Sequence, residues 1–561
     1  MNEFDIVAAY ERHGSLKAVR DATGMTWHAV RRAYKAAVAA GRMTPLPVGR
    51  KTKEQTKQPD VRPQPEGRVR ALQTLDRDLP PPGRVKRYLL TSAQNDTLLH
   101  EPTWRNLLAL QRHFANRPDS AGCELLVARF TYIKSGLGAS GEMSRFTRRK
   151  FAGHGETLRF APEIKAFTSD ERVSLAKGLV WCGEMNILPT ATDPLSDLEV
   201  YTGRRSCVIP HPKIAMRSVP ALDPKKAKLM YTTGTVTQRN YIQRKAGLKA
   251  EFHHCYGALL VEVDSNGSWW CRQLNADSEG TIYDLDVRVH EGKVSTDHRA
   301  EAIYWPDLHA AEIDEDAFLV AFEDGGMLDT LEPKRQFIGD LMTFRGRSHH
   351  EIKSSHKMFK RYVQGIDCVE REVLITARYV RQILRPWCQT IAPWSNHDDH
   401  LLRWLDEQQG NRDPVNAEFW LAMNQMVFDN IKQGVQRNPV DVAFELTAQG
   451  DLCEGIKWLG ERDQYTVCPD ANGGIECAMH GHLGPRGAKG SARAFAKMGR
   501  KACIGNEHDC KIIDGVYVAG TFSSLTTDWA KGPSNWTHTA IVIYPNGKRT
   551  LVTFWDGRWR A

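Results

Sequence analysis

Between residues 300 and 510, short apolar runs repeatedly end in residue types that bind divalent metal. The run AIYWPDLHAAEID presents Asp307 and His309, and QFIGDLMTF presents Gly339-Asp340. IAPWSNHDDHLLRWL presents Asn396, His397 and Asp398, GIECAMHGHLG presents His480 and His482, and KACIGNEHDC presents Asn506 and His508. Carboxylate oxygens, imidazole nitrogens and amide oxygens are the donors that hard and borderline divalent ions select. Two such ions about 3.5–4 Å apart, bridged by one carboxylate, acidify a shared water and clamp phosphoryl oxygens for in-line attack. A neighbouring imidazole that binds no metal can then protonate the leaving oxygen.

In the order D-x-H, G-D, N-H-D, H-G-H, G-x-x-H, this set resembles the calcineurin-like metallophosphoesterase superfamily, over roughly residues 300 to 550. The resemblance implies an α/β fold, an αββα two-sheet sandwich, for residues 299–561. It implies that Asp307, His309 and His508 hold one ion, that Asp340 bridges, and that Asn396 and His480 hold the second. His397 would be the general acid, with Asp398 orienting its ring, and the attacking group a metal-bound hydroxide with no covalent intermediate. Mn²⁺ is the expected ion, with Mg²⁺, Fe²⁺ or Zn²⁺ as alternatives. His482 stands beside the His480 ligand, on the substrate side or as a packing residue.

Three departures from the family pattern matter. Pro306 replaces the usual glycine of the first motif, and Thr343 stands where a second acid would follow the G-D motif. The closing G-H-x-H reads Gly505-Asn506-Glu507-His508, so an amide replaces the imidazole expected on the second ion. Asn506 can ligate through its oxygen, more weakly than histidine, and Glu507 or a water is an open substitute. Around the motifs, Arg345, Arg347, His349 and His350, then Arg486, Lys489 and Arg493, are expected to hold a polyanionic substrate. The alternative for the RGRSHH stretch is a solvated loop.

The elements that position these residues follow from patterning. At 561 residues the chain exceeds one compact core and should form two to four domains. Residues 1–43 read as a helix-turn-helix-like trihelical unit. Ser15 and Thr26 are the expected caps, and Trp27, His28, Arg31, Arg32 and Lys35 are expected to face DNA. A docking unit with a solvated basic face is the alternative. Residues 44–86, rich in Pro, Lys, Arg and Gln, read as a flexible basic tether. Residues 87–298 read as an accessory mixed α/β domain. It has strands at RYLLTSAQN, ELLVARFTYI, ALLVEV and SWWCRQL and an amphipathic stretch from Trp104 to Phe114. Its polar clusters Thr91–Asn95 and Phe252-His253-His254 receive no chemistry.

Composition excludes several classes. Hydrophobic residues are 41% and charged residues 25%, ordinary for a globular chain. No apolar run reaches the roughly 18 residues of a membrane span, and the N-terminus lacks an apolar signal core. A cytoplasmic protein is therefore expected (the host cytoplasm if phage-encoded), with no membrane partner. The twelve cysteines include no C-x-x-C pair, against a zinc ribbon or thioredoxin motif. The net charge of +9 tilts modestly toward polyanionic partners.

Head, tether, middle segment and phosphoesterase motifs together also resemble metallophosphoesterase DNases of tailed bacteriophages, of the pre-early host-DNA-degrading type. The SAQN strand, the FHH segment and the GPSxW…IYPNGKR ending carry that likeness. It implies a Mn²⁺- or Mg²⁺-dependent deoxyribonuclease with DNA as partner. A homo-oligomer, in which a tethered head gains avidity, is a further expectation. A nucleotide or small-molecule phosphodiesterase, a protein phosphatase, and a DNA-binding phage protein with a degenerate site remain open.

Overall fold

The computed structural model describes residues 5–44, 74–132, 160–223, 225, 227–407, 410–471, 473–527 and 530–561. The chain forms two compact units, Met1–Ala71 and Leu72–Ala561. Most of the expected tether, residues 45–73, lies outside the described residues.

The first unit contains helices Ile6–His13, Leu16–Thr23 and Trp27–Ala39. The side chains of Asp5, Ser15 and Thr26 accept from the amides of Val7, Ala18 and Ala29, satisfying donors that a helix start leaves unpaired. Gly14 and Gly24 close the first two helices in the left-handed conformation. Ile6, Val19, Val30 and Ala37 form a small buried core. Trp27, His28, Arg31, Arg32 and Lys35 are all exposed. The guanidiniums of Arg20 and Arg31 lie 5.7 and 5.6 Å from the Trp27 ring centroid, a cation–π arrangement that keeps the indole flanked by charge.

The second unit is mixed α/β with several sheets. A six-stranded sheet runs in the order Ile456–Trp458, Gln389–Ala392, Arg335–Phe337, Ala302–Tyr304, Thr539–Ile543, Arg549–Thr553. Its first four strands are parallel, and the last two form the antiparallel hairpin expected of the closing segment. Tyr304, Phe337, Ile391, Ile541 and Ile543 point from this sheet into a core shared with Val208, Met216, Cys503, Ile512 and Tyr517 of an eleven-stranded sheet. The alternate residues Ile303, Ala392 and Val542 pack on the opposite face, where helices Glu315–Phe322, Val369–Ile383 and Pro439–Leu446 cover them. Period-two alternation thus feeds two cores from strands Ala302–Tyr304, Gln389–Ala392 and Thr539–Ile543.

A four-stranded sheet, Trp269–Asn275, Gly257–Asp264, Val85–Gln94, Ser120–Phe130, follows the same rule. Tyr88 and Leu90 enter the shared core, while Leu89 packs under helix Glu101–Ala115 with Leu107 and Phe114. The polar clusters on this part are structural. Thr91 and Ser92 donate to the carbonyls of Gly257 and Gly234, and the His254 ring bridges the Tyr241 hydroxyl and the Thr237 carbonyl.

Two expected boundaries are corrected. The eleven-stranded sheet contains strands from both sides of the 298/299 division, with Arg217 and Met216 paired to Lys511 and Ile512. Residues 87–298 and 299–561 are therefore not separate domains. They share one core, in which Val208 and Met216 pack with Cys503, Ile512 and Tyr517. Within the expected tether, Thr74–Asp76 forms an edge strand parallel to Arg172–Ser174, and Val85 already belongs to the four-stranded sheet. No described helix is long and apolar enough to cross a membrane.

Candidate metal centre

Three of the motifs sit just past the carboxyl ends of adjacent parallel strands. Ala302–Tyr304 leads to Asp307 and His309, Arg335–Phe337 to Asp340, and Gln389–Ala392 to Asn396 at the start of helix Asn396–Glu407. In the facing sheet, Ile475–Glu476 leads to His480 and Lys501–Ile504 to Asn506 and His508. Strand ends in α/β sheets are where loops converge on ligands.

The backbone is bent to fit. His309, Asp340, Asn506 and His508 have φ values of 46°, 46°, 63° and 58°, a left-handed conformation that costs free energy in non-glycine residues. The glycines before two of these turns allow close approach. A Cβ on Gly339 would lie 2.6 Å from Nδ1 of His480, and one on Gly505 would lie 2.2 Å from Oδ1 of Asp307.

Asp307, His309, Asp340 and His508 are all buried, and one ligand atom from each lies within 4.8 Å of the others. Nε2 of His508 is 3.3 Å from Oδ2 of Asp307, and the Nε2 atoms of His309 and His508 are 3.1 Å apart. Oδ2 of Asp340 is the hub. It lies 3.2 Å from Nε2 of His480, 3.5 Å from Nε2 of His309 and 3.9 Å from Nε2 of His397. Nδ1 of His480 faces Oδ1 of Asp307 at 3.7 Å.

The electrostatics are those of anions and imidazoles gathered out of water. Burial pushes the Asp340 carboxyl up, but the His480 and His397 rings outweigh it and hold the group well below the usual carboxylate range. Burial likewise pushes the His480 imidazolium down, yet Asp340 and Asp307 hold it up at about 9. His309 goes the other way, its charged form disfavoured by burial and by His397. Both oxygens of Asp340, Oδ1 of Asp307, Oδ1 of Asn396 and both ring nitrogens of His480 are buried and make no hydrogen bond. Buried polar atoms without partners are costly, and cations would satisfy the carboxylate and amide oxygens and one nitrogen of His480. The donors fit a divalent ion by type and by convergence.

The His397 ring is oriented by the main chain. Its Nδ1 donates to the Thr343 carbonyl at 2.7 Å, leaving Nε2 toward Asp340. The role expected of Asp398 is corrected. Its Oδ2 accepts from the Ser395 amide at 2.9 Å and from Asn438 Nδ2 at 2.8 Å, so it braces the helix start from inside. Burial pushes its carboxyl up to about 7.

Other expected contacts are redirected as well. Glu507 accepts from the Ala492 amide and pairs with Lys511, so its carboxylate is used away from the cluster. The backbone N–H of Asn506 donates to Oδ2 of Asp307 at 2.6 Å, which leaves its side chain out of that bond. His482 packs 5.6 Å from the His480 ring, and burial pushes it down to about 4. Arg347 is buried and grips Asp413 through two nitrogens. Arg345 pairs with Glu312 but still borders a cavity, and Arg493 pairs with Asp193. Arg486 and Lys489 are exposed.

That cavity, about 260 Å³, opens beside the cluster and is lined by Arg345, His350, Arg361, Asn396, His397 and His400. His400 was not among the expected site residues. It lies three positions after His397 on the same helix face, a spacing the run H-D-D-H already carried.

Protein A1 of Escherichia phage T5 is 35% identical over 489 residues, spanning 85% of this chain and 83% of its own length. The chain belongs to the Protein A1 family. The match with Protein A1 thus extends well beyond the metal-binding motifs. No family model matches the chain, and no solved structure matches it.

Proposed function

We propose that this member of the Protein A1 family is a divalent-metal-dependent phosphodiester hydrolase of the calcineurin-like metallophosphoesterase kind, with DNA as its substrate. The observation that carries the proposal is the Asp340 carboxylate. It is buried, makes no hydrogen bond, and faces three imidazoles through one oxygen. A carboxylate so placed is suited to bridging cations, and the order of the motifs around it is that of the superfamily.

Asp307, His309, His508 and Asp340 would hold one ion, and Asp340, Asn396 and His480 the other. Bound ions there would acidify water and neutralise charge on the phosphoryl oxygens. The protein's own contribution is positional. Because the Thr343 carbonyl holds a proton on Nδ1 of His397, Nε2 is the nitrogen from which the doubly protonated ring can hand a proton to the leaving oxygen, keeping the one on Nδ1. The cavity beside His397 and Asn396 gives the leaving side of the substrate a place to lie. DNA as substrate is supported by the exposed Trp27, His28, Arg31, Arg32 and Lys35 of the head.

The test is to incubate the purified protein with linear and circular DNA plus Mn²⁺, beside Asp340→Ala and a chromogenic phosphodiester. DNA loss that vanishes in the variant supports the proposal. Hydrolysis of the small ester alone would favour a nucleotide-scale phosphodiesterase. A second reading, a DNA-binding protein with a degenerate site, is favoured by Asn506 in place of a histidine. It predicts inactivity on both substrates, relieved by Asn506→His.

A further inference from the structure

Beyond the central cluster, His349, His350 and His400 bring one ring nitrogen each to within 4.8 Å of one another. The ring centroids of His349 and His350 are 3.8 Å apart, and those of His349 and His400 are 4.7 Å apart. Two of the three come from the loop after the G-D motif and the third from helix Asn396–Glu407, so only the fold assembles them. The set contains no carboxylate, which separates its chemistry from that of the Asp307–Asp340 cluster.

From this geometry we propose that His349, His350 and His400 form an additional cation site, selective for a borderline transition ion such as Zn²⁺. Three neutral imidazoles with an open fourth position are a donor set that Zn²⁺ prefers, whereas Mg²⁺ and Ca²⁺ select oxygen. Nδ1 of His349 is buried and makes no hydrogen bond, so it is a donor atom without another use. Zn–N bonds of about 2.0–2.1 Å place tetrahedral ligand atoms roughly 3.4 Å apart. From separations within 4.8 Å the rings must therefore close by at most about 1.4 Å, a movement open to the exposed His350.

Arg403 sets the cost of filling the site. Its Nη1 lies 2.9 Å from Nε2 of His349, so that nitrogen accepts and the ring proton sits on Nδ1. Coordination through Nδ1 moves the proton to Nε2 and turns Arg403 away. Glu407, 3.7 Å from Nε of Arg403, is there to receive it. His350 and His400 also line the cavity beside Asn396 and His397. The site does not depend on what the central cluster hydrolyses.

The experiment is equilibrium dialysis of untagged full-length protein against Zn²⁺ from nanomolar to millimolar, counting bound zinc by elemental analysis. Wild type, His350→Ala, Arg403→Ala and Asp340→Asn are compared, with circular dichroism and Tm as checks on folding. His350→Ala should lose one zinc per chain with an unchanged Tm of the metal-free protein, and Arg403→Ala should bind that zinc more tightly. Asp340→Asn should keep it while losing zinc from the central cluster. Equal zinc in wild type and His350→Ala, or a His350-dependent zinc seen only at millimolar concentration, would overturn the proposal.

Discussion

The backbone N–H of Asn506 donates to Oδ2 of Asp307 at 2.6 Å, tying the loop after one sheet to the loop after the other. The same carboxylate's Oδ1 has Gly505 backed directly against it. Adding a methyl there, as Gly505→Ala, puts a carbon 2.2 Å from that oxygen, so Asp307 or the loop must shift. Overpacking of this kind costs about 1–3 kcal/mol. Gly505→Ala is expected to lower Tm and to weaken Mn²⁺ binding by at least tenfold, as read by calorimetric titration. Unchanged Mn²⁺ affinity would show that Asp307 is not a ligand.

Asp340→Asn keeps the shape of the hub and removes its charge. DNA hydrolysis with Mn²⁺ should fall by about 10³-fold, equivalent to roughly 4 kcal/mol of barrier. Metal removal gives the companion measurement. A ligand at 100 times its Kd stabilises by about 2.7 kcal/mol, so a chelator should lower the Tm of wild type. The Tm of Asp340→Asn should respond much less.

Asp398 predicts a pH dependence. Its folded carboxyl titrates at about 7 against 3.8 in the unfolded chain, so between those values the folded state keeps a proton that the unfolded state has released. The associated stability is fully present below about pH 4 and is lost as pH rises through 7, up to about 4 kcal/mol. Asp398→Asn removes the titration. Thermal melts from pH 4 to 8 should show a flatter profile for the variant than for wild type.

Arg347 separates structure from substrate contact. It is only 7% exposed and its partner Asp413 19% exposed, so removing the guanidinium leaves a poorly hydrated carboxylate. Arg347→Ala should destabilise the fold by about 2–3 kcal/mol. At a temperature where it remains folded, its KM for DNA should match that of wild type.

Asn506→His restores an imidazole where the superfamily pattern has one. Calorimetry with Mn²⁺ should then show the weaker of two binding events tightening, with the stronger unchanged. A single unaltered event would place residue 506 outside the second ion's coordination.

Much of this was legible in the residues. Strand ends at Asp307, Asp340 and Asn396 followed from apolar runs that stop at polar ones. The caps Ser15 and Thr26 and the hairpin at Thr539–Thr553 followed from local rules acting over a few residues. Donor type was equally local, since what an imidazole or carboxylate can bind is fixed by its own chemistry.

What only the tertiary structure decided is where each side chain points and which distant strands share a sheet. Asp398 and Arg347 carry the right charges for a site but turn inward to Ser395, Asn438 and Asp413, partners 3 to 66 positions away. His349, His350 and His400 meet because a loop and a helix pack together. The division at 298/299 vanished because Met216 pairs with Ile512, a contact across the whole unit that no window of sequence contains. Periodicity states which face of a strand is apolar. It does not state which other face will cover it, and that choice is made only when the whole core closes.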